Sequence, residues 1–259
     1  MSKIVCILKL VVFIFLIIIN LIVTSLMYLF IRFNKNFYTV STIYVTSIFA
    51  SLFLKLFSIH VNLNIEDRKL FAKNYLIVSN HLSYIDILVI SKFLPTCFIT
   101  SQEIKSTPFL GWLCFLNGCL FVDRKNFRKL SLEIKEIAKV LKMGFNVAFF
   151  PEATSTNGVD VLEFKKPLFK AAIDSQCKIL PLCLNYKSVN GNEIDVFNRD
   201  NVFWYGDTSF FPHFIRMLQC RSIEVELSIL DEIDVAENKA SLSVVSYEKV
   251  RESYIPILS

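Results

Sequence analysis

The sequence predicts an α/β domain with a mixed, largely parallel sheet flanked by helices, preceded by one or two N-terminal membrane helices. Three observations lead to this fold class. Short apolar runs rich in β-branched residues alternate with helical segments along most of the chain, as in proteins with parallel sheets. The apolar fraction is 54% and the mean hydropathy is +0.50, which is high for a soluble domain. The longest apolar runs lie near the N-terminus, so that part is expected to sit in lipid.

The first predicted element is a transmembrane helix at residues 10–31. This run carries no charged side chain, and at about 1.5 Å per residue its helix would cross a hydrocarbon core of roughly 30 Å. Lys9 precedes the run and Arg32 follows it, so flanking charge does not fix the orientation. A cleavable signal peptide is the alternative. The run is longer than a signal core, however, and no small-residue cleavage site ends it.

The second apolar segment, residues 37–54, contains several serines and threonines. This composition favours a helix that lies in the interface or re-enters the membrane over a second complete span. The composition turns polar and charged over residues 62–73. The predicted organisation is therefore an N-terminal membrane-anchoring region, residues 1–61, and a globular domain, residues 62–259.

Within the globular domain, strand-like and helical segments alternate. The helix after Asn126 has apolar residues three and four positions apart, and Asn126 and Gly144 are suited to begin and end it. Alternating polarity at residues 223–229 predicts a half-exposed strand. The predicted strands are residues 75–79, 96–100, 119–122, 146–150, 178–186 and 223–229. The predicted helices are residues 82–92, residues 108–116, residues 126–144 and a segment that starts at Pro167.

Polar residues follow three of the predicted strands at the point where each strand ends. They are Asn80 and His81, then Asp123 and Arg124, then the segment 151–154. Ligands of open α/β sheets bind beyond the carboxyl ends of the strands, so these three loops are expected to form one pocket.

His81 and Asp86 are the candidates for proton transfer. A histidine at a strand end, with an acid about one helical turn later, can direct one ring nitrogen to the carboxylate and leave the other free to accept a proton. Taken alone, the spacing is more typical of a helix-start histidine that a neighbouring acid satisfies.

Four motifs place these residues in a wider pattern. They are NHLSYID at residues 80–86, FVDR at 121–124, FPEATSTNG at 150–158 and LPLCLNY at 180–186. In this order and spacing they resemble the phospholipid/glycerol acyltransferase family, which includes the lysophosphatidate acyltransferases. The segment QEIKSTPFLGWL at 102–113 looks like a further part of the family pattern. The resemblance covers residues 75–186, which are the expected motif-bearing core.

The resemblance implies a glycerolipid acyltransferase-like fold and a membrane-bound O-acyltransferase. The family transfers a fatty acyl group directly from acyl-CoA or acyl-carrier protein to a lysolipid hydroxyl, so no covalent acyl-enzyme, cofactor or metal ion is expected. His81 and Asp86 correspond to the family's catalytic pair. Arg124 matches a residue thought to contact the acceptor phosphate, for which a guanidinium is suited. Glu152 and Thr154 match the acceptor-binding segment.

Three lysines are further candidates for an anionic group of either substrate. Lys105, Lys165 and Lys166 can each meet an acceptor phosphate, a CoA phosphate or an acidic carrier protein, although solvated lysines give the same pattern.

The third motif departs from the family's common form, FPEGTR. Ala153 stands where that form has glycine and Ser155 where it has arginine. Alanine restricts backbone angles with positive φ, and the lost arginine removes one potential phosphate contact. The expected acceptor is 1-acylglycerol-3-phosphate, which would give phosphatidic acid in phospholipid biosynthesis. Lyso-ornithine lipid and lysophosphatidylcholine remain alternatives, since this motif looks closer to branches that act on them.

Other classes of function fit less well. Seven cysteines lie singly and none of the three histidines stands at ligand spacing from a cysteine, which argues against a zinc site and favours a reducing compartment. The net charge of +5 is spread along the chain, which suits a lipid surface or an acidic carrier and predicts no nucleic-acid partner. A catalytically silent lipid-binding relative and a metal-dependent hydrolase remain the rival hypotheses. The expected location is the inner (cytoplasmic) membrane, with the catalytic domain on the cytosolic side.

Overall fold

The computed structural model describes residues 3–29, 35–235 and 238–258, and in these ranges eight strands form one sheet with helices on both faces. This confirms the predicted fold class. The strands are β1 (Ile59–Ile65), β2 (Leu76–Ser79), β3 (Thr96–Ser101), β4 (Leu120–Val122), β5 (Asn146–Phe149), β6 (Ile179–Val189), β7 (Asn192–Glu193) and β8 (Ile223–Ile229). The helices are α1 (Lys3–Tyr28), α2 (Lys35–Leu56), α3 (Ile85–Phe93), α4 (Gln102–Lys105), α5 (Leu110–Leu116), α6 (Phe127–Lys142), α7 (Lys170–Ser175), α8 (Phe210–Leu218) and α9 (Lys239–Ser253).

The two N-terminal helices are long and apolar enough to cross a membrane, by length and composition. The last part of the predicted transmembrane run, Phe30 and Ile31, lies outside the described residues. Both helices also pack on the globular domain: α1 contacts α2, α5 and α8, and α2 contacts α3 and β1. At this junction Phe13 of α1 contacts the rings of Phe53 and Phe214, on α2 and α8. The hairpin of α1 and α2 therefore completes the apolar core.

The strand order β1-β8-β6-β2-β5-β3-β4 determines which helices share a face of the sheet. The chain passes from β2 through α3 to β3 in one direction, and on through α5 to β4. It then returns through α6 to β5 and through α7 to β6. Because parallel crossovers are right-handed, α3 and α5 lie on one face and α6 and α7 on the other. The contacts agree, since α2 packs on α3 and α1 on α5, whereas α6 packs on α7.

Strand β1 was not predicted, and it crosses the predicted domain boundary at residue 62. It pairs in parallel with β8, and its side chains alternate between buried and more exposed positions. Polar residues at alternate positions interrupt the apolar pattern of β1, so the strand is not recognised as an apolar run. The helix expected from residue 82 begins instead at Ile85, because the preceding residues form a turn around Asp86. Helices α8 and α9 also go beyond the predicted elements.

Helix α6 follows its sequence signals closely. The side chain of Asn126 accepts a hydrogen bond from the backbone N–H of Lys129, and Gly144 follows the helix with a φ of +89°. The apolar residues on one side of the helix are buried, which fixes the opposite side toward solvent.

Candidate active site

The three polar segments that follow β2, β4 and β5 meet at the carboxyl edge of the sheet. The backbone N–H of His81 donates to Glu152 Oε1 at 2.6 Å, and the His81 carbonyl accepts from the Thr156 N–H at 2.9 Å. Arg124 Nη1 donates to the Ala153 carbonyl at 3.2 Å. The structure therefore brings the three segments together as the parallel topology requires.

The centre of this site is the His81–Asp86 pair. His81 Nδ1 lies 2.9 Å from Asp86 Oδ2, and one face of the imidazole stacks on Phe150 with ring centroids 3.9 Å apart. A carboxylate only accepts hydrogen bonds, so Nδ1 carries the proton of the neutral ring and Nε2 keeps a free lone pair. The imidazole is partly exposed whereas Asp86 is fully buried. The arrangement provides a proton acceptor in a fixed orientation.

Four donors hold the Asp86 carboxylate. Oδ2 accepts from His81 and from the backbone N–H groups of Leu82 and Ser83, at 2.7 and 2.9 Å. Oδ1 accepts from the Tyr186 hydroxyl at 2.7 Å. Burial and the nearby Asp86 charge raise the pKa of Tyr186 well above its usual value, so its phenol remains a donor. This contact of Tyr186 was not predicted from the sequence, although Tyr186 ends the last motif and lies on β6, beside β2.

Glu152 is buried and joins two backbone segments. Its Oε1 accepts from the His81 N–H and its Oε2 accepts from the Leu162 N–H at 2.8 Å. Burial raises the pKa of this carboxyl to about 8, and the two backbone donors oppose the rise. With both oxygens occupied, the geometry favours a role in positioning the His81 loop over the direct acceptor contact expected from the sequence.

The structure shows the local conformation and contacts of the residues that depart from the common third motif. Ala153 has a φ of +66°, a left-handed conformation that glycine adopts without a steric cost, which explains glycine in the common form of the motif. The Ser155 hydroxyl donates to the Trp204 carbonyl, so this side chain is held by the backbone. Thr154 is exposed, and its hydroxyl donates to the neighbouring Ser155 carbonyl at 3.4 Å.

A cavity of about 150 Å³ has Phe150 in its wall, and the His81 ring stacks on that same phenyl ring. Its walls are mainly apolar, and Arg124 and Lys165 supply two positive charges. Lys105, also expected to meet substrate, is not among the lining residues, and its Nζ lies 5.3 Å from the centroid of the Phe121 ring. The lining residues are Arg124, Phe127, Leu130, Phe149, Phe150, Pro151, Ala153, Lys165, Pro167 and Leu168.

No group of three or more histidine, cysteine, aspartate or glutamate residues suited to a metal ion occurs in the described part of the chain. The chemistry offered by the residues of the site is acid–base chemistry next to an apolar cavity with cationic side chains at its wall.

The chain is similar to several known proteins. A family model described as acyltransferase matches residues 59–185. The 1-acyl-sn-glycerol-3-phosphate acyltransferase of Neisseria gonorrhoeae is 31% identical over 178 residues, which cover 69% of this chain and 67% of that protein. The lyso-ornithine lipid O-acyltransferase of Rhizobium meliloti (strain 1021) is 28% identical over 186 residues, which cover 68% of this chain and 64% of that protein.

The fold has a counterpart among solved structures. The crystal structure of the 1-acyl-sn-glycerophosphate acyltransferase PlsC from Thermotoga maritima matches with a TM-score of 0.60 and 19% sequence identity. The match covers 91% of this chain and 95% of that one, so the likeness includes both the hairpin and the sheet.

Proposed function

Because the chain belongs to the acyltransferase family, as an O-acyltransferase of the lysophospholipid type, we propose that it transfers a fatty acyl group from acyl-CoA or acyl-carrier protein to a lysolipid hydroxyl. The observation that supports this reaction is the His81–Asp86 pair, in which the ring nitrogen away from the carboxylate can accept a proton. No cofactor takes part in the proposed reaction.

In the proposed mechanism, His81 Nε2 takes the proton of the acceptor hydroxyl as that oxygen attacks the thioester carbonyl. Asp86 stabilises the imidazolium that forms, because its buried carboxylate is already oriented toward Nδ1. The tetrahedral intermediate then collapses, the carbon–sulfur bond breaks and the imidazolium returns the proton to the leaving thiolate. The products are an ester and a free thiol.

The proposed acceptor is 1-acylglycerol-3-phosphate, which would yield phosphatidic acid. Arg124 and Lys165 at the cavity wall can pair with its phosphate. Lyso-ornithine lipid is the second candidate, since relatives with that activity are similar to this chain and Ser155 contributes no positive charge. The exposed hydroxyl of Thr154 is a proposed hydrogen-bonding group for the acceptor, and Lys105 is a proposed contact for an anionic group outside the cavity.

The proposed location is the inner (cytoplasmic) membrane, with the hairpin of α1 and α2 in the bilayer and the sheet on the cytosolic side. The exposed apolar side chains of α1, among them Ile14, Ile18 and Ile22, support this placement, because such a surface is suited to lipid.

The test is turnover of a lysolipid panel by the purified full chain, scored by mass spectrometry. His81→Ala is expected to lower kcat by about 10²–10⁴-fold, because general-base assistance is lost. The exposed His60 gives the matched control, and His60→Ala should retain full activity. Undiminished turnover by His81→Ala would refute the assigned base, and lysolipid binding without any turnover would favour the silent relative.

A further inference from the structure

Helix α6 carries positive side chains along one line of its surface. Arg128, Lys135, Lys139 and Lys142 are spaced by seven, four and three residues. At about 100° per residue they fall within an arc of about 60°. All four are exposed. We call these four residues the basic stripe.

Most of this charge is uncompensated. Lys139 pairs with Glu136 on the same helix. In the described ranges, Arg128, Lys135 and Lys142 make no ion pair with an acidic side chain. Three positive charges on one helix face repel each other, so the stripe favours a negatively charged partner.

One end of the stripe begins in the turn of α6 that lines the cavity. Phe127 and Leu130, in the first turn of α6, line the cavity that also contains Phe150, against which His81 stacks. From Arg128 the stripe then runs for about 21 Å toward the opposite edge of the sheet. Exposed apolar side chains accompany it, with Phe127 82% exposed and Leu132 63% exposed. This combination is typical of a protein-binding surface.

The stripe lies on the face of the sheet opposite to the apolar hairpin. Helices α1 and α2 pack against α3 and α5 on one face of the sheet, whereas α6 and α7 pack against each other on the other face. If the hairpin lies in a bilayer, α6 is on the side of the sheet that faces away from that bilayer. A soluble partner can therefore bind along α6.

From these observations we infer that the basic stripe docks an acidic acyl-carrier protein, which presents its thioester to the cavity beside His81. This inference rests on the proposed function and selects between its two donors. A free CoA thioester carries its phosphates on one small group, whereas the stripe extends over about four helical turns and fits an extended acidic surface.

The test compares two donors that carry the same acyl group, acyl-CoA and acyl-carrier protein, with the full chain in detergent. The variant Arg128→Glu/Lys135→Glu/Lys142→Glu reverses the unpaired charges without touching the cavity lining. We expect KM for acyl-carrier protein to rise by about 10-fold or more, with kcat and all acyl-CoA kinetics within about 2-fold of the parent. The unchanged acyl-CoA reaction serves as the measure of correct folding.

A matched control reverses three exposed basic residues away from α6, in the variant Arg68→Glu/Arg221→Glu/Lys239→Glu. It changes the net charge equally and is expected to leave KM for both donors unchanged. An equal rise of KM in the control, or an equal loss with both donors, would overturn the inference. The same holds if the parent uses acyl-CoA but not acyl-carrier protein, although the proposed function would then stand.

Binding of fluorescently labelled acyl-carrier protein, measured by anisotropy, separates docking from turnover. If the stripe variant loses this binding, the result supports the docking surface even if no lysolipid is acylated. In that case only the proposed function would have failed.

The last experiment measures binding of the parent and of the stripe variant to vesicles that contain phosphatidylglycerol. If the stripe variant loses vesicle binding and keeps carrier binding, the surface belongs to the membrane and the inference is wrong.

Discussion

The orientation of the His81 ring depends on how firmly a single carboxylate is held. Asp86 receives hydrogen bonds from one side chain on its own motif, two backbone groups and one phenol from β6. The first three donors are local in sequence, since they lie within five residues of Asp86. Tyr186 lies 100 residues away and is the donor that ties the pair to the centre of the sheet.

Removing the Tyr186 hydroxyl should therefore affect the chemical step more than substrate binding. We expect Tyr186→Phe to lower kcat by about 10-fold with little change in KM, since a hydrogen bond to a charged group is worth about 1.5–3 kcal/mol and the remaining donors retain part of the orientation. Tyr75→Phe is the matched control, because Tyr75 donates to Glu232 over the same 2.7 Å away from the site. Equal kinetic losses in both variants would contradict a positioning role.

Glu152 should make stability depend on pH. Its pKa of about 8 in the folded protein lies above the usual 4.5, so between these values the folded chain binds more protons than the unfolded chain. The contribution of this group to the free energy of unfolding is then lost as pH rises through 8 and is fully present below 4.5. Thermal unfolding of Glu152→Gln at pH 5–9 should lack this slope, so the loss of stability relative to the parent should be largest near pH 5 and should decrease toward pH 9.

Glu163→Gln is the control for that series, since Glu163 is exposed. It should follow the parent at every pH. A difference between the parent and Glu152→Gln that does not change with pH would exclude the assigned titration.

At the scale of elements, three apolar helices are joined by one amide. Asn117 follows α5 and exchanges hydrogen bonds with Asn20 of α1 at 3.1 and 2.9 Å. It also accepts from the Thr46 hydroxyl of α2 at 3.0 Å. Polar side chains in apolar helices need such partners, because water does not reach them. The network fixes the hairpin to the segment that leads into β4 and so to Arg124.

Asn117→Ala should loosen this connection and lower stability. The substitution leaves the Asn20 amide and the Thr46 hydroxyl without their shared partner, at a cost of about 1–3 kcal/mol. A lower midpoint of thermal unfolding in detergent is the expected result. Asn192→Ala, at an exposed asparagine in β7, should leave the midpoint unchanged. An unchanged midpoint for Asn117→Ala would show that the hairpin is held by apolar packing alone.

At the scale of the whole molecule, the order of the strands separates three tasks in space. The hairpin covers the α3 face, α6 and α7 cover the other face, and the site lies at the carboxyl edge where the loops after β2, β4 and β5 meet. Both proposed substrates can then approach together, a lipid from the side of the hairpin and a soluble donor from the side of α6.

The α/β class, most strands, the two apolar segments and the three polar loops follow from the order of the amino acids, because periodicity, apolar runs and strand-end residues are local properties. Those loops also placed His81, Asp86 and Arg124 in one region. Three features become visible only in the folded chain: β1 joins the sheet, Glu152 accepts from the His81 backbone and Tyr186 donates to Asp86. Each of these contacts joins residues far apart in the chain, and their energies come from burial and hydrogen bonding that exist only once the strands are paired.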